Sequence, residues 1–192
     1  MNGLLIVLVI AIVVGVIGWL MTQRSAPNKS PSVPVERDLF TLQIGDIVQY
    51  EGDDWVVESR LTFDDDGFTW LEYLLMDGDH QCWLAVEEDD WLEVSLLHKI
   101  DDLVIAGTPP AELTYQDLVY RLRESGTANM HRTARTGQVK AERCEYFDYE
   151  GTNQQVLSLE NWSGSQEISV GHKIKPSALS LLPGDGQSVY RT

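Results

Sequence analysis

Short apolar stretches rich in Val, Ile, Trp and Tyr recur from residue 42 onward, and clusters of Gly, Asp and Asn separate them. Residues 42–50 alternate between apolar and polar, residues 51–54 read Glu-Gly-Asp-Asp, and residues 55–61 alternate again. A period of two places successive side chains on opposite faces of a strand, and a Gly/Asp turn between two such runs is typical of a hairpin. Because this pattern continues through residue 97, we predict an all-β domain.

Residues 112–123 are the one window that permits a helix. Leu113, Leu118 and Leu122 fit a helical period, with Thr114 as its cap. The same region, ending at Ser125-Gly126, also fits a strand that enters a hairpin. The strand is the preferred interpretation.

A pattern of two strands joined by a glycine turn occurs twice. The motif E-Y-x4-G-x5-L-x-[VL]-E begins at Glu72 and again at Glu145. Two tandem similar β units, residues 41–108 and 109–183, would explain the repeat, either as small barrels or as a sandwich. They could pair edge to edge or face to face. Chance similarity between acidic hairpins is the alternative.

Residues 1–23 carry no charged side chain, and residues 4–21 are almost entirely apolar. An eighteen-residue helix spans roughly 27 Å, close to the hydrocarbon thickness of a bilayer. A cleaved signal peptide would have a basic start and a shorter apolar run, and its cleavage signal here is faint. We therefore expect a retained single-pass transmembrane helix over residues 1–23.

The basic residues around this segment predict its orientation. Arg24, Lys29 and Arg37 all follow it, and positive flanks stay preferentially on the cytoplasmic side. Cys82 and Cys144 show no metal or redox spacing and suit small buried side chains in a reducing compartment, although the sequence leaves a disulfide open. The expected location is the membrane, with the folded domain in the cytoplasm.

A Pro- and Ser-rich linker is predicted at residues 24–40, and a short tail at residues 184–192. The linker contains Pro27, Pro31 and Pro34 in close succession, which favours an extended spacer. Excluding the first forty residues leaves 11 basic and 28 acidic side chains. That charge repels phosphates and anionic headgroups, so nucleic acid is not an expected partner. The acidic charge could serve solubility alone, and the more specific hypothesis is that it binds a basic partner or a divalent cation.

No cofactor motif and no strong metal motif is present. Four scattered histidines form no zinc pattern, and His80 and Cys82 share a strand face merely by pleating. The weak metal candidates are Asp64, Asp65 and Asp66, which lack calcium-loop spacing and are better explained as a solvated turn. The acidic run at residues 87–90 has the same interpretation.

Catalytic motifs are also lacking. The chain has no GxSxG nucleophile motif and no GxxxxGK[ST] phosphate loop. Glu72 and Glu145 could meet across a repeat axis, but a structural role is the preferred interpretation. We therefore predict no enzymatic activity.

Five tryptophans beyond the apolar segment are the candidate partner-binding residues. Most are expected in the core, and an exposed pair on a groove would mark a binding face. They are Trp55, Trp70, Trp83, Trp91 and Trp162.

Several of these motifs carry a resemblance to a known family. Ile44-Gly-Asp-Ile-Val48, Trp70-Leu-Glu-Tyr73 and Trp83-Leu-Ala-Val-Glu87, followed by Leu157-Ser-Leu-Glu160, occur in order. Over most of residues 42–182 the chain resembles the bacterial domain of unknown function 4178. The resemblance implies a β-rich domain, often in membrane-associated contexts, and carries over no catalytic residue.

Three functions are compatible with the sequence. The leading hypothesis is a membrane-anchored interaction or scaffold module that recruits a protein partner, in membrane-complex assembly or envelope stress. The first alternative is an acidic domain that binds a cation or another small ligand. The second alternative is a hydrolase, which a cleft with convergent polar groups would indicate.

Overall fold

The computed structural model describes residues 36–134 and 139–184, and for residues 139 and 140 only the backbone. Eleven strands occupy these ranges: β1 (Ile47–Tyr50), β2 (Asp53–Asp65), β3 (Phe68–Asp77), β4 (His80–Glu88), β5 (Leu92–Ile100), β6 (Glu112–Tyr115), β7 (Leu118–Ala134), β8 (Val139–Glu150), β9 (Gln155–Trp162), β10 (Ser165–Lys173) and β11 (Ser180–Leu182). A single 3-10 turn, Pro176–Ala178, lies between the last two. The all-β prediction is confirmed, and residues 112–123 form strands rather than a helix.

All strands belong to one antiparallel sheet that closes on itself. Its order is β11-β1-β2-β3-β4-β5-β10-β9-β8-β7-β6, and β2 also pairs with β7. That extra pairing joins β2, β3, β4, β5, β10, β9, β8 and β7 into a closed barrel of eight strands, leaving β1, β11 and β6 outside the ring. Closure removes the free edges that an open sheet of this size would expose.

Two halves, β1–β5 and β6–β10, have the same connectivity, and each contributes four strands to the barrel. In each half a short strand precedes a long one, β1 before β2 and β6 before β7. Each long strand has a bulge, near Val57 and near Leu122. The amides of these residues donate to the carbonyls of Asp46 and Ala111, each of which immediately precedes the short strand of its half. The halves join edge to edge through β2–β7 and β5–β10. They therefore share one barrel instead of forming two, and the boundary between residues 108 and 109 stays a prediction.

Tight turns connect the strands where the sequence predicts them. Glu51 and Gly52 have φ values of 51° and 98°, and Asp66 and Gly67 have 51° and 99°. Two consecutive residues with positive φ form the turn whose twist matches a two-residue hairpin, and Gly tolerates the second position at no steric cost. The acidic turns therefore have a structural reason for their composition.

Two apolar clusters lie on the outer face of the barrel sheet. The first outer core joins β3, β4 and β5 to the segment at residues 39–48 and comprises Leu39, Leu42, Val48, Val57, Leu71, Tyr73, Leu75, Cys82, Leu84, Val86, Val94 and Leu96. The second outer core is centred on Tyr120, Tyr149, Leu157, Leu159 and Ile168. Side chains of β6 and of residues 103–105 pack against the second one. The strands outside the ring thus serve as covers for its outer surface.

Buried Asp46 ties the beginning and the end of the described domain together. Its carboxylate accepts hydrogen bonds from Arg37 Nε at 2.6 Å, from the Gln43 amide at 2.8 Å and from the Gly184 amide at 2.8 Å. A buried carboxylate is stable when its oxygens are paired in this way.

The predicted transmembrane helix lies outside the described residues, as do most of the predicted linker and tail. Within residues 36–134 and 139–184 no helix has the length and apolarity needed to cross a bilayer.

Candidate functional site

A cavity of about 550 Å³ lies inside the barrel. Its wall receives side chains from every one of the eight ring strands, from Leu61 on β2 to Ser169 on β10. Only the interior of a closed ring can be lined in this way. We call this cavity the first chamber.

An inner aromatic cluster fills the side of the barrel at which β2 meets β7. It comprises Leu61, Phe63, Ala128, Met130, Cys144 and Tyr146, with Trp70, Trp83 and Trp162 packed against them. Trp70 stacks on Phe63 with ring centroids 4.8 Å apart and meets Tyr146 edge-on at 5.0 Å. Trp83 and Trp162 also line the first chamber, so the chamber has aromatic walls.

The inner cluster is held in position by a polar contact. The Tyr146 hydroxyl donates to the Asp65 carboxylate at 2.9 Å. The neighbouring residue, Gly126, leaves the room for this bond, because a Cβ there would overlap both partners. The hydrogen bond between β2 and β8 therefore requires a residue without a side chain at position 126 of β7.

A second chamber of about 250 Å³ continues the interior. It shares Glu72, Leu97 and Ser158 with the first chamber, so the two meet at these side chains. Its lining also includes Trp91, which is 66% exposed and therefore lies at the mouth.

Carboxylates dominate the charge of both chambers. The first chamber is lined by Glu72, Glu142, Glu160 and Glu167 against Arg132 and Arg143. The second has eight carboxylates against Arg123 and Lys173, namely Glu72, Glu87, Asp89, Asp90, Glu93, Glu124, Asp148 and Glu150. An anionic ligand would be repelled from such an interior, whereas a cation would be attracted.

Glu72 and Glu160 line the barrel interior, and the charge of Glu72 acts on Glu160. Burial, together with the nearby Asp148 charge, raises the pKa of Glu72 to about 8. Burial, together with the Glu72 charge, raises the pKa of Glu160 well above its ordinary value. Each accepts a hydrogen bond from a tryptophan, Glu72 from Trp70 and Glu160 from Trp162 Nε1 at 3.1 Å. The pair therefore favours a shared proton or a bound cation over two bare negative charges.

Asp148 and Glu87 repeat this situation in the second chamber. Burial raises the pKa of Asp148 to about 6, although a hydrogen bond with Ser158 opposes the shift. Burial also raises the pKa of Glu87 to about 7, with Glu124 and Asp148 adding repulsion. Carboxyl groups with raised pKa values thus line both chambers.

Basic side chains neutralise other carboxylates of the interior. Lys99 pairs with Glu167 at 3.4 Å, and Lys173 pairs with both Glu93 and Glu150. In contrast, no ion pair within the described ranges involves Glu72, Asp148 or Glu160. These three carboxylates have neutral hydrogen-bond partners only, and buried charges are ordinarily compensated by an opposite charge.

The structure separates the five predicted partner-binding tryptophans. Trp70, Trp83 and Trp162 belong to the inner aromatic cluster, and Trp55 packs against the first outer core. Trp91 alone among the five is largely exposed, with its Nε1 donating to Glu93 at 2.7 Å. The five therefore do not form one exposed face.

The weak metal candidates also have separate places. Asp64 accepts the Gly67 amide at 3.2 Å within the turn, Asp65 binds Tyr146, and Asp66 adopts the positive φ of the turn. Across residues 36–134 and 139–184, no three His, Cys, Asp or Glu side chains are grouped closely enough to hold a metal ion.

The two cysteines are free and buried on different faces of the sheet. Cys82 belongs to the first outer core and Cys144 to the inner aromatic cluster. Burial raises the pKa of each thiol to about 12, which leaves both as inert apolar side chains. The disulfide that the sequence left open is not formed between them.

Sequence reasoning missed the interior site. It paired Glu72 with Glu145, but Glu145 is exposed and Glu72 faces the chambers. A usable signal exists in residues 83–87, where Trp, Ala and Glu alternate with the buried Leu84 and Val86. A large aromatic side chain such as Trp83 on the second face indicates that this face is covered as well, whereas Glu87 by itself is typical of a solvated face.

Comparison with known proteins identifies the family and no activity. The model of the family described as Domain of unknown function (DUF4178) matches residues 43–176, so the chain belongs to that family. The uncharacterized proteins Rv2597 of Mycobacterium tuberculosis and Mb2628 of Mycobacterium bovis are each 29% identical to it over 203 residues, covering 95% of this chain and 97% of theirs. No solved structure matches it.

Proposed function

We propose that this member of the domain of unknown function 4178 family binds a small organic cation inside its closed barrel. The observation that carries the proposal is the first chamber, a cavity of about 550 Å³ lined by carboxylates and by Trp83 and Trp162. Cavities of roughly 300–1,000 Å³ with apolar walls and a few convergent polar groups are typical of small-molecule sites.

The electrostatics of the chamber support a cationic ligand. Within the described ranges Glu72 and Glu160 take part in no ion pair, and burial raises the pKa of both while the Glu72 charge further raises that of Glu160, so a positive charge beside them would relieve both burial cost and repulsion. The two tryptophans offer aromatic faces, which attract organic cations by about 0.5–2 kcal/mol each.

An organic cation suits the site better than a metal ion. A metal ion needs several oxygens that converge on one point. Here the carboxylates are distributed along the interior, on β3, β4, β8 and β9. An extended ligand with apolar and charged parts matches that distribution.

Calorimetry on the full chain in a mild detergent tests the proposal. We expect n-hexylammonium to bind at pH 8.5, and n-hexanol and hexanoate to bind at least about tenfold more weakly, since one charge pair is worth roughly 1.5–3 kcal/mol. Equal binding of the alcohol would show an uncharged apolar pocket instead. Absence of binding by all three ligands would refute the proposal.

Matched variants locate the site. Glu160→Gln removes a carboxylate of the first chamber, and we expect it to weaken hexylammonium binding by about tenfold. Glu145→Gln changes the same residue type at an exposed position of β8 and should leave the affinity unchanged. Equal effects of the two substitutions would place the ligand elsewhere.

A second proposal concerns location and partners. We propose that residues 4–21 tether the domain to the cytoplasmic face of a membrane, supported by their uncharged apolar sequence and by the basic flank that follows. In this position the exposed Trp91 would be available to a protein partner, as a recruiting module requires. Membrane fractionation tests the tether, and recovery of the chain in the soluble fraction without its first residues would refute it.

A further inference from the structure

The two chambers lie end to end along the barrel and have their uncompensated charges on opposite sides of their junction. Glu72, Leu97 and Ser158 belong to both chambers. Glu160 lines the first chamber only, whereas Glu87 and Asp148 line the second only. A ligand that satisfies both groups must pass the junction.

The register of β8 and β9 sets the distance between the two groups. Glu160 lies opposite Tyr146, and Asp148 lies opposite Ser158, so the two carboxylates are offset by two residues on adjacent strands. Such diagonal neighbours have Cα atoms roughly 7–8 Å apart. Glu160 lines the first chamber and Asp148 the second, so this separation spans the junction.

We propose that the ligand is a linear aliphatic diamine or polyamine, with one ammonium group in each chamber and its methylene chain beside Leu97 at the junction. This inference rests on the proposed function and gives the class of its ligand. One ammonium would lie near Glu160 and Glu72 beside the tryptophan wall, and the other near Asp148 and Glu87. The apolar middle would contact Leu97, a side chain that a compact cation would leave uncovered.

The partnered carboxylates support this assignment. Lys99 and Lys173 neutralise Glu167, Glu93 and Glu150, so the protein supplies its own cations at those positions. Within residues 36–134 and 139–184, no ion pair involves Glu72, Glu87, Asp148 or Glu160, and these carboxylates are distributed over both chambers. One charge at a single end of a ligand would leave part of this set uncompensated.

A homologous series tests the proposal by calorimetry on the full chain in detergent at pH 8.5. The probes are α,ω-diamines of three to ten carbons and the monoamines of equal length. We expect the best diamine to bind at least about tenfold more tightly than its monoamine, with an optimum at a nitrogen-to-nitrogen span of roughly 7–8 Å. A flat series in which diamines and monoamines bind equally would overturn the two-ended ligand and leave the proposed function standing. Failure of every amine to bind would overturn both.

Variants at the two ends sharpen the result. Glu160→Gln and Asp148→Asn should each reduce the affinity of the best diamine to within about threefold of that of its monoamine. Glu145→Gln is the matched control and should preserve the full advantage of the diamine. Near-ultraviolet circular dichroism of each variant establishes that it is folded. Persistence of the diamine advantage in folded forms of both end variants would refute the proposal.

Discussion

The outer and inner faces of the same strands differ sharply in composition. On β4, Leu84 and Val86 point into the first outer core, while Trp83 and Glu87 face the chambers. On β9, Leu157 and Leu159 belong to the second outer core, while Ser158 and Glu160 face inward. The two larger apolar clusters thus lie outside the barrel, whereas its inside combines the inner aromatic cluster with carboxylates and serines.

Because the outer clusters supply much of the apolar burial, the interior of the barrel can remain open. A small closed barrel ordinarily fills its interior with packed side chains. Here covers from β1, β6 and the segments at residues 39–48 and 174–181 supply the burial on the outside. The interior is therefore free to hold carboxylates whose burial costs stability, which is typical of a binding site.

The largest expected effect comes from the outer side. Leu84→Ala removes a fully buried side chain of the first outer core and should cost about 2–5 kcal/mol of the free energy of unfolding, through lost burial and the cavity left behind. Urea unfolding measures it. Val104→Ala, at a position that is 81% exposed, should change stability by less than about 0.5 kcal/mol. Equal losses of unfolding free energy in the two variants would contradict the assignment of Leu84 to a core and Val104 to the surface.

The inner side predicts an unusual pH dependence of stability. Glu72, Glu87 and Asp148 have pKa values of about 8, 7 and 6 in the folded state, above their ordinary values. The folded state therefore holds more protons than the unfolded state, and the stability that these groups contribute is lost as the pH rises from about 5 to 8.5. We expect the free energy of unfolding to fall by about 1–3 kcal/mol over this pH range. Water in the chambers partly solvates the carboxylates, so the loss is smaller than complete burial would cause.

Thermal unfolding in the absence of amines checks this prediction. The groups whose pKa is lowered, Asp38 and Glu93, titrate below this window, and Lys173, whose pKa is raised, titrates above it. A melting temperature that rises or stays constant between pH 5.5 and 8.5 would contradict it.

Replacing a single inward-facing carboxylate should change the stability at high pH by a smaller amount. Glu72→Gln removes the charge and the repulsion of Asp148 and Glu160, so at pH 8.5 the ligand-free domain should gain about 1 kcal/mol. For a chain of this length that gain raises the melting temperature by about 2–4 °C. Glu145→Gln, on the solvent side of β8, should leave it unchanged. A loss of stability in Glu72→Gln would show that the carboxylate is structurally required.

The smallest effect is expected at the mouth of the second chamber. Trp91 is 66% exposed and contributes one hydrogen bond, to Glu93. Trp91→Ala should therefore change the free energy of unfolding by less than about 0.5 kcal/mol. Trp162→Ala, inside the barrel, should cost about 3 kcal/mol or more and provides the contrast in the same urea titration.

The strands and turns of the fold could be predicted from local sequence. The hairpin turns at Gly52 and Gly67 and the alternating runs on either side of them occur where the sequence indicates. Local chemistry suffices there, because the period of two and the positive φ of Gly are properties of a few residues.

The face on which each side chain lies could not be predicted in the same way. The repeated Glu-Tyr pair shows why: Tyr73 is in the first outer core, and Tyr146 is in the inner aromatic cluster. Both tyrosines are buried, so burial alone does not distinguish the two faces. A shift of one residue in register exchanges the faces of a strand, and the sequence leaves the register open when both faces are enclosed.

By itself, the sequence determined the strands, their tight turns, the acidic charge and an uncharged apolar segment at residues 4–21. Only the tertiary structure decided that β2 pairs with β7 and β5 with β10, and that Glu72, Asp148 and Glu160 therefore meet inside one barrel. The reason is physical. Strand and turn preferences act between neighbours in the chain, whereas ring closure and the repulsion of enclosed carboxylates depend on residues far apart in sequence.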